Sequence, residues 1–203
     1  MEWMIMRSAF DKLISWTGLA LAIVLLAASG LLFWANNFIG DQVHDQLTMQ
    51  DITMPEGEAI ADLPQADQDA LEPYAGSIMD TGPEAQAYAD HYILVHMNAA
   101  SDGRTYSEVS GEYVQLSDAD KASPEGQALG QLRQTLFMGN TLRGLLLYGY
   151  AFATIGTITG IAAFVSFGAA ALLLVLVLLG LWHARRAEKP AERLVPGRVA
   201  QTV

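Results

Sequence analysis

The sequence contains no cysteine and is poor in basic residues. Without cysteine the chain has neither disulfide bonds nor thiolate ligands for a metal, so its stability has to come from packing. The 11 Lys and Arg residues stand against 22 Asp and Glu, which gives a formal net charge of −11. An acidic chain is a poor ligand for phosphate backbones, so we expect no binding to nucleic acid.

The common catalytic motifs are also absent. The chain has no GxSxG nucleophile motif, no HExxH zinc motif, no Walker A loop and no glycine-rich dinucleotide fingerprint. It also lacks a calcium loop of the DxDxDG type. These absences predict a protein that is not an enzyme and holds no cofactor.

Two long apolar blocks, residues 13–35 and 144–182, enclose an acidic middle. Crossing the hydrocarbon core of a bilayer takes about 20 residues, so both blocks are long enough. Neither contains Asp, Glu, Lys, Arg or His, on which ion and proton relays usually depend. The pattern predicts an integral membrane protein of mainly α class, with two transmembrane helices, that is not a pump or channel on its own.

The first block has a competing interpretation as a secretory signal peptide, because residues 27–29 (Ala-Ala-Ser) are small enough for a peptidase site. The apolar run nevertheless continues to Trp34, well beyond the roughly 7 to 15 residues of a signal-peptide core. Trp16, Trp34 and Trp182 lie near the ends of the blocks, as interfacial anchors do. An uncleaved transmembrane helix over 13–36 is therefore favoured.

The second block is longer than one span requires. It is either a hairpin of two spans or one long helix, over 143–183, whose first part protrudes from the membrane. A hairpin would place Arg185, Arg186 and Lys189 outside, against the tendency of basic residues to stay in the cytoplasm. The long helix is favoured, with residues 145–159 near or above the outer boundary.

Basic residues at both ends set the expected topology. Arg7 and Lys12 precede the first block, and Arg185, Arg186 and Lys189 follow the second. Residues 1–12 and the basic tail 184–203, expected to be disordered, are therefore predicted to be cytoplasmic, in a protein of the cell membrane. Residues 37–142 are predicted to form an extracytoplasmic domain, in which 18 acidic residues face only three basic ones.

Local signals predict helix starts within this domain. Thr81 with Glu84 and Thr105 with Glu108 have the spacing of a capping box, and Ser123 precedes a proline at a first helical position. The helix that starts near Thr81 is expected to end near residues 102–103. Apolar and polar residues alternate sufficiently over 47–54 to predict one short strand. Residues 59–80 predict a loop with a helical turn or two.

Small residues recur every three or four positions in the second block, at Gly149, Ala153, Gly156 and Gly160. Such a stripe allows two helices to approach closely. Two alternatives remain open at this point. The stripe packs against the chain's own first helix, through Gly18, Ala22 and Ser29, or against a helix of a partner, which includes a homo-oligomer.

The weak metal candidates are His44, His91 and His96, which share the domain with many carboxylates. His91 and His96 are five residues apart on the expected helix, whereas chelating pairs lie three or four apart on one face. We therefore expect no metal, with His91 partly buried and His96 on the surface.

Three short segments, 103–109 (GRTYSEV), 123–128 (SPEGQA) and 136–147, resemble small two-span membrane proteins of actinobacteria. Many of these are labelled aromatic ring-opening dioxygenase of the LigA type. The resemblance extends over about residues 13–184. It implies an accessory membrane protein attached to a large envelope complex, such as a respiratory supercomplex.

Three functions follow from these patterns. The first is a non-enzymatic accessory or scaffold protein that contacts the lipid bilayer and another membrane protein. Its acidic domain would face a basic partner or a soluble electron carrier. The second is an extracytoplasmic ligand sensor, suggested by a domain held between two helices. The third, suggested by the dioxygenase label, is a metal-dependent enzyme that would use His44, His91 and a carboxylate.

Overall fold

The computed structural model describes the backbone of residues 2–192 and the side chains of residues 9–186. Within these limits every regular element is helical. The α-helices are α1 (Glu2–Thr48), α2 (Glu58–Ala61), α3 (Gln65–Leu71), α4 (Gly82–Tyr88), α5 (Leu94–Ser101), α6 (Tyr106–Gln115), α7 (Asp118–Lys121) and α8 (Pro124–Glu192). A 3₁₀ turn at Glu72–Tyr74 follows α3, and a π-helical turn at Ala89–Ile93 joins α4 to α5. The predicted mainly α fold, with a small helical segment between two long helices, is confirmed.

Two stretches, Ala9–Thr48 in α1 and Pro124–Arg186 in α8, are long and apolar enough to cross a membrane. In the most apolar 18-residue segment of each stretch, only 11% and 17% are buried. The core helix of a soluble protein is mostly buried. Large apolar side chains such as Leu13, Leu31 and Phe164 are more than 60% exposed. Length, hydropathy and exposure together indicate contact with a lipid bilayer.

Helix α8 starts where the sequence predicts a helix start. The Ser123 hydroxyl accepts a hydrogen bond from the backbone of Gly126 at 3.1 Å, and Pro124 occupies the first helical position. The helix covers 144–182 in one piece, which excludes a hairpin of two spans. It continues past the expected end at residue 183 to Glu192, through residues such as Ala187 and Glu188 that favour helix. Residues 193–203 of the expected tail lie outside the described residues.

The chain divides into two compact units, residues 1–36 with 158–203 and residues 37–157. In the first unit α1 packs against α8 through both small and aromatic side chains. The Ser29 hydroxyl donates a 3.0 Å hydrogen bond to the Ala163 carbonyl, and the rings of Phe33 and Phe164 meet edge to face at 4.9 Å. Ser29, which belongs to the possible peptidase site, is thus buried in this helix pair.

The second unit has a core to which both long helices contribute. Leu47 of α1 and Leu146 of α8 are buried together with Met54, Leu71 and Met79. A second cluster joins Met97 of α5 and Val109 of α6 to Leu136 of α8. Because α8 takes part in both clusters, this unit extends to residue 157, beyond the boundary expected at 142.

The short strand predicted over 47–54 is wrong. Helix α1 continues to Thr48, and a turn follows in which Asp51 has a φ of 52°. Within 47–54, Thr53 alone among the described residues forms a β-bridge, which is antiparallel and pairs it with Ile78. The helical period places Leu47 beside the partly buried Val43, and burial of that pair against the core outweighs the local alternation.

The expectation for residues 59–80 is confirmed, since this segment holds the short helices α2 and α3 and the 3₁₀ turn. The predicted helix near residues 81–102 is also confirmed. It runs through α4, the π-helical turn and α5 to Ser101, and it is capped by Asp102, whose φ of 54° is left-handed.

Candidate interaction surface

Glu84 fixes the start of α4. Its side chain is only 7% exposed, and its carboxylate accepts hydrogen bonds from the Ser77 and Thr81 hydroxyls and from the Asp80 and Thr81 backbone at 2.7 to 2.9 Å. Burial alone would raise the pKa of this carboxyl, but the four hydrogen bonds favour the charged form and lower it below its ordinary value. The capping box predicted at Thr81 is present, and so is the one at Thr105.

Because residue 82 is glycine, the start of α4 can pack directly against α8. A Cβ atom there would collide with the Cβ of Ala153 and would lie 3.3 Å from the Cα of Tyr150. Ala153 of the predicted small-residue stripe therefore lies against the first residue of α4.

The glycines of the stripe lie against the first helix of this same chain. In the second unit a Cβ at Gly149 would lie 3.6 Å from Leu47, and one at Gly156 would lie 3.1 Å from Ile39. In the first unit a Cβ at Gly160 would lie 2.9 Å from Asn36. These three glycines of the stripe therefore face larger side chains of α1.

The small residues of α1 that were expected to meet the stripe lie elsewhere in the first unit. Ser29 bonds to Ala163, and a Cβ at Gly18 would lie 2.9 Å from Val177. Ala22 is fully buried. The expected contacts of Gly18 and Ser29 with the stripe are therefore replaced by contacts with Val177 and Ala163.

Helix α8 also carries exposed apolar residues in the second unit. They recur at spacings of three and four and are 48–67% exposed: Met138, Leu142, Leu145, Tyr148, Phe152 and Ile155. We call this set the apolar face. Soluble surfaces rarely expose a contiguous apolar patch of more than a few hundred Å², so a face of this length is typical of an interaction surface.

A groove of about 480 Å³ runs beside the apolar face, between α1 and α8 in the second unit. One ridge consists of residues spaced four apart, namely Phe38, Gln42 and Gln46 of α1 and Gln50 in the turn that follows it. Leu145 and Phe152 of α8 form the other ridge, and Leu47 and Gly149 lie between the two. The groove is therefore apolar with a row of amides along one side.

Exposed carboxylates occur on α1 outside the residues that line this groove. Asp41 and Asp45 precede Gln42 and Gln46 by one position, and both are exposed. No Lys or Arg occurs from residue 13 to residue 103. In the part of the chain that the structure describes, neither carboxylate forms an ion pair.

The three histidines of this unit lie in three separate places. His44 is 3.5 Å from an Asp80 carboxylate oxygen, and His91, which is partly buried, is 2.8 Å from an Asp67 oxygen. His96 is exposed, and its Nδ1 lies 2.7 Å from the Tyr92 carbonyl oxygen. Among the described side chains no three His, Asp or Glu residues are placed to hold a metal ion.

Sequence reasoning missed the ion pair between Arg143 and Asp90. The Arg143 guanidinium lies 2.6 Å from the Asp90 carboxylate and ties α8 to the π-helical turn. The available signal was the presence of a single basic residue directly before the second apolar block. Nothing in the sequence named its partner, which is 53 positions away.

The expected interfacial anchors are exposed. Trp16, Trp34 and Trp182 are 54–65% exposed, and the Arg186 guanidinium lies 4.0 Å from the Trp182 ring centroid. Lys12 and Arg185 are exposed as well. The side chains of Arg7 and Lys189 lie outside the described residues.

Comparison of the chain with protein-family models, with curated proteins and with solved structures gives no match.

Proposed function

We propose that this chain is a non-enzymatic accessory subunit that binds another membrane protein and presents its acidic unit outside the cell membrane. The exposed apolar face of α8 carries this proposal. The resemblance noted above makes a large envelope complex, such as a respiratory complex, the first candidate for the host.

The length of α8 supports a position of this face outside the hydrocarbon core. A span of about 20 to 23 residues counted back from Trp182 reaches about residue 160. The apolar face, which extends from Met138 to Ile155, then lies beyond the hydrocarbon core. Lipid chains do not cover it there, and water is an unfavourable solvent for it, so the surface that covers it belongs to a protein.

Basic residues at both ends support the orientation. Arg7 and Lys12 precede the first predicted span, and Arg185, Arg186 and Lys189 follow the second. With both ends in the cytoplasm, residues 37–142 are extracytoplasmic. The acidic unit is then available to proteins on that side of the membrane.

The test is purification of the tagged full chain in a mild detergent, followed by mass spectrometry of its stoichiometric companions. Replacing Tyr148 and Ile155 of the apolar face by serine should reduce the companion by at least tenfold. Val114→Ser, at a 63% exposed position of α6, is the matched control and should retain it. A full chain that migrates alone at the mass of one copy would overturn the proposal.

A further inference from the structure

A basin of about 580 Å³ lies in the second unit, where the end of α6, α7 and the first turns of α8 meet. Part of its lining is apolar and consists of three partly buried leucines, which we call the floor: Leu116, Leu129 and Leu132. Three exposed carboxylates also line the basin, and we call them the rim: Glu112, Asp120 and Glu125. The basin therefore combines an apolar surface that is turned inward with acidic groups that are turned outward.

Close packing fixes one wall of the basin. Gly126 of α8 lies against α7, since a Cβ atom there would collide with the Asp120 carbonyl oxygen and would lie 2.8 Å from the Lys121 Cα. The Asp120 carboxylate accepts a 2.6 Å hydrogen bond from the Ser117 hydroxyl, and the Ser123 hydroxyl donates to the Asp120 carbonyl oxygen at 2.7 Å. The position of the Asp120 carboxylate at the rim is thus set by the fold.

Two of the rim carboxylates have no cation of their own. Arg104, which also lines the basin, pairs with Glu112 at 3.0 Å. Among the described residues neither Asp120 nor Glu125 forms an ion pair. The Lys121 ammonium lies over a tyrosine ring instead, 5.7 Å from the ring centroid. The rim therefore keeps a negative charge next to the leucine floor.

We infer that this basin binds a small amphipathic organic cation, whose apolar body covers the floor and whose ammonium or guanidinium group pairs with Asp120 and Glu125. Covering the leucines removes apolar surface from water, which is favourable. The positive group is attracted by carboxylates that lack a partner within the chain. This inference goes beyond the proposed function and does not depend on it.

The arrangement of floor and rim favours this class of ligand over three others. The rim repels an anion. An inorganic cation gains nothing from the leucines, and among the described side chains no three His, Asp or Glu residues are placed to hold a metal ion. A lysine or arginine side chain of a partner protein would enter with its charged end first, which would place the charge on the floor and the methylene groups at the rim.

The experiment is a titration of the full chain in lipid nanodiscs, in which NMR follows the methyl signals of the leucines. The probes are n-butylammonium, n-butanol and butyrate, which carry similar alkyl chains and differ in charge. Butylammonium should shift the signals of Leu116, Leu129 and Leu132 at concentrations at which the other two probes do not. The absence of a shift with butylammonium, or equal shifts with butanol, would overturn the inference.

A fourth probe, methylammonium, tests the floor. It has the same charge as butylammonium but lacks most of the alkyl chain, so less apolar surface leaves water when it binds. Its dissociation constant should be higher by about tenfold or more. Equal dissociation constants would mean that the basin responds to charge alone, which would contradict the role of the leucines.

Substitution of the rim tests the charge. Changing Asp120 to asparagine together with Glu125 to glutamine should weaken the binding of butylammonium by about fivefold, because both carboxylates are lost. Asp118→Asn is the matched control, since Asp118 is an exposed residue of α7 that does not line the basin, and it should leave binding unchanged. Asparagine at 120 can still accept the hydrogen bond from Ser117, so the methyl spectrum without probe should be retained. Undiminished binding to the double variant would refute the pairing with the rim.

Discussion

Arg143 and Asp90 form an ion pair in which the guanidinium and carboxylate approach to 2.6 Å, and this pair fastens the π-helical turn to α8. Both side chains are roughly 30% exposed, so neither is fully surrounded by solvent. Arginine also donates a second hydrogen bond to the same oxygen, at 3.2 Å. Two bonds from one planar group orient the turn more strictly than a single contact would.

Removing one partner of this pair should destabilise the second unit. We expect Arg143→Gln to lower the free energy of unfolding by about 1–2 kcal/mol, because Asp90 loses its charged partner in a half-buried place. The double variant with Asp90→Asn should lose less than the sum of the two single variants, since the two residues interact. Thermal melting of the four proteins in detergent measures this, and additive losses would argue against the coupling.

Stability should depend on pH through Glu84. Its pKa in the folded state lies below the ordinary value, so it stabilises the fold above the unfolded-state pKa, and this contribution disappears as pH falls through the folded-state pKa. Glu84→Gln should cost about 1–3 kcal/mol at neutral pH, since four hydrogen bonds to a charge are lost or weakened. It should also flatten the loss of stability between about pH 5 and pH 2.

The matched control for that experiment is Glu108→Gln. Glu108 has the same role in a capping box at Thr105, and its pKa is also lowered by hydrogen bonds from Thr105, but it is exposed to solvent. We expect Glu108→Gln to lower the free energy of unfolding by less than Glu84→Gln does. Equal losses at Glu84 and Glu108 would mean that burial of Glu84 contributes little.

Position 82 should not tolerate a side chain. Gly82→Ala places a methyl group against Ala153 and the backbone of α8, and we expect a loss of about 1–3 kcal/mol from overpacking. Gly111→Ala on α6 is the control, because nothing lies within 4 Å of its Cβ position. That change should stabilise the protein slightly, as alanine favours helix over glycine. Melting temperatures report both, and an unaffected Gly82→Ala would contradict the close approach.

The histidines should not hold a metal. His44, His91 and His96 each contact a different group, and no pair of them shares a site. Protein purified without chelators should contain much less than one equivalent of iron or zinc by elemental analysis. A stoichiometric metal that disappears in His91→Ala would restore the enzyme hypothesis.

Features that depend on neighbours in sequence could be predicted here. The capping boxes at Thr81 and Thr105 and the start of α8 at Pro124 are set by residues within one turn, and the sequence shows them directly. The length and hydropathy of the two long helices are equally local properties. The length and hydropathy of these helices were enough to predict the fold class without any knowledge of tertiary contacts.

Features that depend on distant residues could not be predicted. The alternation in 47–54 favours a strand, but burial of Leu47 against a core built from remote segments selects helix instead. The partner of Arg143 and the groove beside the amide ridge depend on which sides of α1 and α8 meet. Spacing identified the small residues of α8, but it did not show that they face Leu47, Ile39 and Asn36.

The part that α8 plays in the core of the second unit has a consequence for biogenesis. Residues 49–123 leave the ribosome before α8 does, yet the core around Met54 and Leu71 is incomplete without Leu146, and that around Met97 and Val109 without Leu136. In the proposed topology the acidic segment therefore crosses the membrane before its fold is complete, and its folding waits for synthesis of α8. A secreted fragment that ends at residue 142 would lack Leu146 and would leave apolar surface open to chaperones and proteases.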